Sequence, residues 1–191
     1  MVLMMAFCTA TVAAQIAQRR MGVRWQNGVP RISVGIRDLV NARVREELRS
    51  GLRKRIVVRA QAFREGNSRP LATRTFSCAV TYDIWEQSFD VNIGRRRERF
   101  ARVEQVIDRC LAINGMPVGE ANDYANVRGR DIYFAVRAEF DPIDEGRCRQ
   151  LLRSSDGGGD PIGPLVINIV RREICQADRV VEFRSPTRRV P

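Results

Sequence analysis

Carboxylates crowd two short stretches of the chain: Asp141, Asp144 and Glu145, then Asp156 and Asp160 around a run of three glycines. Oxygen ligands on loops at one end of a β-sandwich are how C2-like modules hold Ca²⁺. Asp141, Asp144, Asp156 and Asp160 are therefore the candidate metal ligands. Their spacing is not that of an EF-hand, and the plainer reading is solvated loop carboxylates or partners for the abundant arginines. A second cluster is basic. Gly94-Arg95-Arg96-Arg97-Glu98-Arg99 reads as a charged loop, and Arg95, Arg96, Arg97 and Arg99 could hold phosphate, a lipid headgroup or nucleic acid through charge-assisted contacts. No aromatic side chains interleave with these arginines, and no helix-turn-helix, zinc-finger or RRM signature surrounds them, so base recognition has no support. The plainer reading is again a solvated loop. Gly157-Gly158-Gly159 lacks both the Gly-Lys-Ser/Thr ending of a P-loop and the G-x-G-x-x-G spacing. It reads as a flexible connector.

What is missing restricts the chemistry further. The chain has no histidine, which removes Ser-His and Cys-His nucleophilic catalysis, histidine general bases and nearly every His-containing metal site. An enzyme would have to rely on carboxylates, Lys54, tyrosines or cysteine alone. No nucleophile-base pair is visible, so neither catalysis nor a cofactor is expected. The cysteines are Cys8, Cys78, Cys110, Cys148 and Cys175, and none forms a C-x-x-C pair. Loss of an N-terminal leader would leave the last four, which permit two disulfides in any of three connectivities. Cys148 with Cys175 is the favoured pair, since both flank the polar, glycine-rich region. Cys78 and Cys110 lie on apolar faces and read as small buried hydrophobes. Trp85 reads as core, and Trp25, in an exposed lead-in, as a partner contact.

The elements that must position these residues are mostly strands. Residues 18–29 form the lead-in and end in an Asn27-Gly28 turn. Ile32, Val34 and Ile36 alternate with polar neighbours, the period of a half-buried strand. Val40, Val44 and Leu48 then mark a short amphipathic helix, with Asp38 or Asn41 able to cap it and Gly51 to end it. Ile56, Val58, Ala60 and Ala62 face inward on the next strand, and Gly66-Asn67-Ser68 makes a turn. Phe76, Cys78, Val80 and Tyr82 define an inner face, followed across a tight Asp83-Ile84 link by Trp85, Phe89, Val91 and Ile93. Helical spacing of Phe100, Val103, Val106, Ile107, Cys110 and Leu111 predicts a helix over 100–113, ended by Gly115-Met116-Pro117 and Gly119. Ile132, Phe134, Val136, Ala138 and Phe140 alternate with Tyr133, Arg137 and Glu139 in the clearest strand. A short helix is predicted over 145–153, residues 165–172 fit either helix or strand, and 180–183 reads as a final strand. Together these predict a mainly β antiparallel sandwich, possible in Ig- or C2-like form, with two or three helical insertions; an α+β two-layer sandwich is the alternative.

Residues 1–17 carry no charged side chain, and an apolar run gives way to small residues ending in Val12-Ala13-Ala14. That is the outline of a secretory signal peptide. It departs from the usual pattern in lacking basic residues before the apolar block, so a start further upstream, an uncleaved N-terminal anchor and a buried N-terminal helix are alternatives. A spanning helix needs about 20 apolar residues, and Gln15 and Gln18 cut this run short. Phe7 before Cys8 does not fit a lipoprotein box. The composition of the whole chain, 44% hydrophobic and 29% charged, is that of a folded domain, placed over residues 30–185 with a tail at 186–191. The net charge of +11 and pI near 10.7 suggest polyanion binding. However, Lys54 is the only lysine among 33 basic residues, a skew that matches GC-rich codon usage, so only a clustered patch carries functional weight.

Over residues 30–93 the chain resembles an exported bacterial family of domains of unknown function catalogued under the number 4390. The resemblance rests on Arg37-Asp38-Leu39, Leu48-Arg49-Ser50-Gly51-Leu52, Ile56-Val57-Val58, Tyr82-Asp83-Ile84-Trp85 and Phe89. It implies envelope localisation and a β-rich fold, and no activity. The expectation is thus a periplasmic or envelope-associated, non-catalytic module that binds an envelope protein or an anionic surface, with peripheral membrane contact open to it. The alternatives are a C2-like Ca²⁺- or anionic-lipid-binding module and a basic nucleic-acid-binding protein.

Overall fold

A computed structural model describes residues 16–143, 148 and 177–191. The predicted helix at 145–153, apart from Cys148, and the ambiguous segment at 165–172 lie outside the described residues, as do Asp144, Asp156, Asp160 and Cys175. The protein is mainly β, built from two antiparallel sheets over one shared apolar core, with short helical segments between strands.

The first sheet begins with β1 (Gly22–Gln26) and β2 (Val29–Gly35). Asn27 and Gly28 both have positive φ, 51° and 75°, the left-handed pair that closes a two-residue hairpin with the twist strands need. The lead-in is therefore a strand, although most of it is exposed as expected. Arg37–Leu39 forms a 3₁₀ turn. Asn41 then accepts a hydrogen bond from the Val44 amide at 2.9 Å and caps α1 (Ala42–Leu48), which buries Val44 and Leu48.

The second sheet contains β3 (Lys54–Arg64), β4 (Pro70–Asp83), β5 (Ser88–Ile93) and β6 (Arg96–Phe100). It continues with β8 (Asp131–Phe140), β9 (Arg179–Arg184) and β10 (Arg188–Arg189). Its order is β10-β8-β3-β4-β5-β6, with β9 also on β8. Ile56, Val58, Ala60 and Ala62 of β3 and Ile132, Phe134, Val136, Ala138 and Phe140 of β8 point into the core, as period-two alternation requires.

Between β6 and β8 lie α2 (Val103–Leu111) and β7 (Ala112–Pro117), which pairs with β2. The helix is shorter than its apolar spacing predicts because sheet pairing takes both ends. Phe100 pairs with Phe89, and Ala112 pairs with Gly35. Strand β7 itself is a departure from the sequence reading. Asn114-Gly115 interrupts its alternation, and Gly115 has φ 62° at an irregular point of the β2–β7 ladder.

Residues 17–19 and the C-terminal residues also join the sheet. Arg184 donates from its amide to the Ala17 carbonyl at 2.9 Å, and the Arg19 amide donates to the Arg184 carbonyl at 2.8 Å. Ala17 and Arg19, at the end of the apolar N-terminal block and just after it, are thus tied to the sheet. The tail expected at 186–191 instead contributes β10, and Val190 is buried between backbone hydrogen bonds to Gly129 and Arg130.

Cys78 and Cys110 are buried as expected, but they are not isolated thiols. The inner face of β4 meets the core face of α2, and the two cysteines form a disulfide with Cα atoms 5.7 Å apart. Cys148 is disulfide-bonded as well, and its favoured partner Cys175 lies outside the described residues.

Candidate functional site

The arginine run is a strand, not a loop. Only Arg95 lies in the turn before β6, and cross-strand register sets Arg99 opposite Asp90 and Arg97 opposite Asn92. Both guanidiniums reach the same carboxylate. Arg97 Nη2 lies 2.7 Å from one oxygen of Asp90 and Arg99 Nε 3.1 Å from the other. Their hydrogen bonds hold the Asp90 carboxyl below the usual aspartate range. On the opposite parity Glu98 accepts a two-point contact from Arg109 of α2, at 2.7 and 2.8 Å. The run is thus partly neutralised by its neighbours, and Arg95 and Arg96 are its exposed members with no ion pair to a described carboxylate.

Asp141 is likewise engaged. It follows β8 with φ 48° and accepts a hydrogen bond from Lys54 Nζ at 2.9 Å, while Glu47 of α1 accepts from the same ammonium at 2.8 Å. Burial pushes the Lys54 ammonium down, but its bonds to the two carboxylates outweigh this and hold it above the ordinary lysine value. Glu47 is correspondingly held below the usual glutamate range, chiefly by Lys54. Among the described residues no three His, Cys, Asp or Glu side chains converge as a metal site would need. The abundant cations have therefore taken up the acidic residue that can be described.

A concave feature lies on the outer face of the second sheet. A cavity of about 770 Å³ is bordered by β3, β8, β9 and the N-terminal segment at 16–18. Phe63 and Tyr133, one from each of two adjacent strands, stack there with centroids 5.4 Å apart and planes 13° apart. The Arg184 guanidinium sits 5.5 Å from the Tyr133 ring. Arg137 is held at the rim by Glu139 and Glu182. Stacked aromatic faces next to guanidiniums can hold a flat or extended ligand by dispersion and cation–π contact. They offer no nucleophile with an adjacent base. Tyr133 and Arg137 are recognisable in the sequence as outward members of β8; Phe63 is not, although it occupies the outward parity of β3 and an outward aromatic was the available signal.

Both tryptophans are placed differently from expectation. Trp25 packs edge-on against buried Tyr124, with ring centroids 5.3 Å apart. Trp85 is 89% exposed, because residues 84–87 form a turn before β5 begins, not part of its inner face.

Comparison with protein-family models, with curated proteins and with solved structures gives no match for this chain.

Proposed function

We propose that the protein is an exported, non-catalytic β-rich module of the bacterial cell envelope that acts by binding another envelope component. The observation that carries this reading is the buried Cys78–Cys110 disulfide, which ties β4 to α2 across the core. Structural disulfides persist in oxidising compartments and are rare in the cytosol. The uncharged, small-residue-terminated N-terminal block and the resemblance over residues 30–93 support the same compartment. The Phe63–Tyr133–Arg184 groove supports the binding role, since it supplies stacking and charge without a reactive pair. Asp141 and the Arg97–Arg99 pair already have intramolecular partners, so neither the calcium nor the nucleic-acid alternative gains support from them.

Cell fractionation with N-terminal sequencing, and thiol titration of the denatured protein, tests the proposal. The expected result is an envelope fraction, a mature start near Gln15 and Cys78 and Cys110 unreactive until reduced. Intact protein with Met1 in the cytoplasm and both of these thiols free would refute it.

A further inference from the structure

The β4–β5 turn projects apolar side chains into solvent. Asp83 accepts hydrogen bonds from the Trp85 and Glu86 amides at 2.9 and 3.1 Å, so its carboxylate fixes a tight reversal with Ile84 and Trp85 at the apex. Ile84 is 59% exposed and Trp85 89% exposed. The link between α1 and β3 runs alongside: a Cβ on Gly51 would lie 3.7 Å from Ile84 Cγ2, and the next residue, Leu52, is 66% exposed. Among the described residues only two other large hydrophobic side chains, Ile16 and Val180, are comparably exposed. Single exposed apolar residues need no explanation, but a contiguous cluster led by a tryptophan does.

Two exposed arginines flank the tip in the chain: Arg49 and Arg53 bracket Leu52. The turn's own carboxylates, Asp83 and Glu86, have Arg99 of β6 nearby. The tip is convex, so it does not offer the pocket that a protein hot spot usually fills. The chain's net charge of +11 opposes the approach of a second copy. A convex Trp-Ile-Leu tip with two flanking arginines matches the interfacial layer of an anionic bilayer, where tryptophan is favoured and each arginine adds attraction.

We propose that Leu52, Ile84 and Trp85 insert into the headgroup region of an anionic bilayer, with Arg49 and Arg53 held against the lipid phosphates. The Phe63–Tyr133 pair lies toward the other end of β3 from this tip, so the two features are separate. The proposal goes beyond the binding role above and does not depend on it.

The full folded chain is to be sedimented with phosphatidylglycerol vesicles and, in parallel, with phosphatidylcholine vesicles. Tryptophan emission is recorded with brominated acyl chains as quenchers. Binding to the anionic vesicles is expected, with quenching that disappears in W85F. W85A should bind about thirtyfold more weakly through loss of the apolar contact, and R53A about fivefold more weakly. The turn is solvent-exposed, so unchanged melting of W85A confirms that the variant is folded; I84S supplies a second test at the same tip. The proposal is overturned by absence of binding to phosphatidylglycerol. It is also overturned by binding that depends on salt but not on Trp85 or Ile84, or by a wild-type dimer that W85A converts to monomer. Vesicle binding by a protein that fractionates as cytoplasmic would refute the export reading and leave this one standing.

Discussion

One ammonium group joins parts of the chain that are far apart in sequence. Lys54, at the start of β3, holds Glu47 on α1 and Asp141 beyond β8, and its side chain is only 13% exposed. Lys54→Met leaves two carboxylates facing one another without their cation, and the expected loss is about 2 kcal/mol in a urea titration. Adding Glu47→Gln and Asp141→Asn should recover most of it; no recovery would mean that the ion triad is not the cause. The same triad sets a pH dependence. Glu47 is shifted below its ordinary value of 4.5, so its contribution is complete above that pH and lost as pH falls through the lower folded value. Lys54 is shifted above 10.5, so its contribution is complete below that pH and lost as pH rises through the higher folded value. Wild-type stability should therefore be level between these limits, and Lys54→Met should flatten both flanks in melts at pH 3 to 11. None of this could be read from the sequence, where Lys54 stands out only by composition. Its partners, like Asp90 for Arg97 and Arg99, come from register and helix placement, not from local spacing.

At the level of elements, alternation and turn chemistry carried most of the information. The inner faces of β3 and β8, the Asn27-Gly28 hairpin and the Asn41 cap follow from local residue patterns, and the structure contains each. What could not be read locally depends on neighbours: β6 and β7 look like a charged loop and a helix end until β5 and β2 pair with them. The disulfide belongs to the same class, since only the packing of α2 on β4 brings Cys78 to Cys110. It closes a loop of sequence separation 32, and replacing both cysteines with alanine should cost about 3–4 kcal/mol on chain-entropy grounds. Reduction of the wild type also opens the Cys148 disulfide, so reduced wild type should melt at or below that variant; a variant that melts like oxidised wild type would show that the Cys78–Cys110 bond adds nothing. A backbone test lies after β7. Gly119 has φ 79°, and a Cβ there would run into Ala72 Cβ and the Asp123 carboxylate. Gly119→Ala should therefore cost about 2 kcal/mol or more in the same titration, whereas Gly66→Ala, with φ 77° but open space around it, should cost less.

For the molecule as a whole, segment 17–19 and the C-terminal strands meet on one edge of the sheet. Segment 17–19 adds to the outer side of β9, and β9 and β10 both lie on β8. Arg19 ties this junction to the 3₁₀ turn at Arg37–Leu39: its guanidinium lies 4.3 Å from the Phe183 ring and pairs with both oxygens of Asp38 at 2.5 and 2.9 Å. Those bonds hold the Asp38 carboxyl below its usual range. A chain beginning at Gln15, as removal of a leader ending at Ala14 would leave it, keeps all of these contacts. A chain beginning at Arg20 loses two backbone hydrogen bonds, the cation–π contact and a partly exposed ion pair. At about 1 kcal/mol for each hydrogen bond and less for each of the others, the loss comes to about 3 kcal/mol. For a domain of this size that lowers the melting midpoint by about 6–12 °C. Arg19→Ala in the longer chain removes the side-chain contacts alone and should lower it by about 2–4 °C. Thermal melts of the three proteins at neutral pH check this directly. Equal midpoints for the Gln15 and Arg20 starts would mean that the fold begins at β1, and that Ala17 to Arg19 only rest against β9.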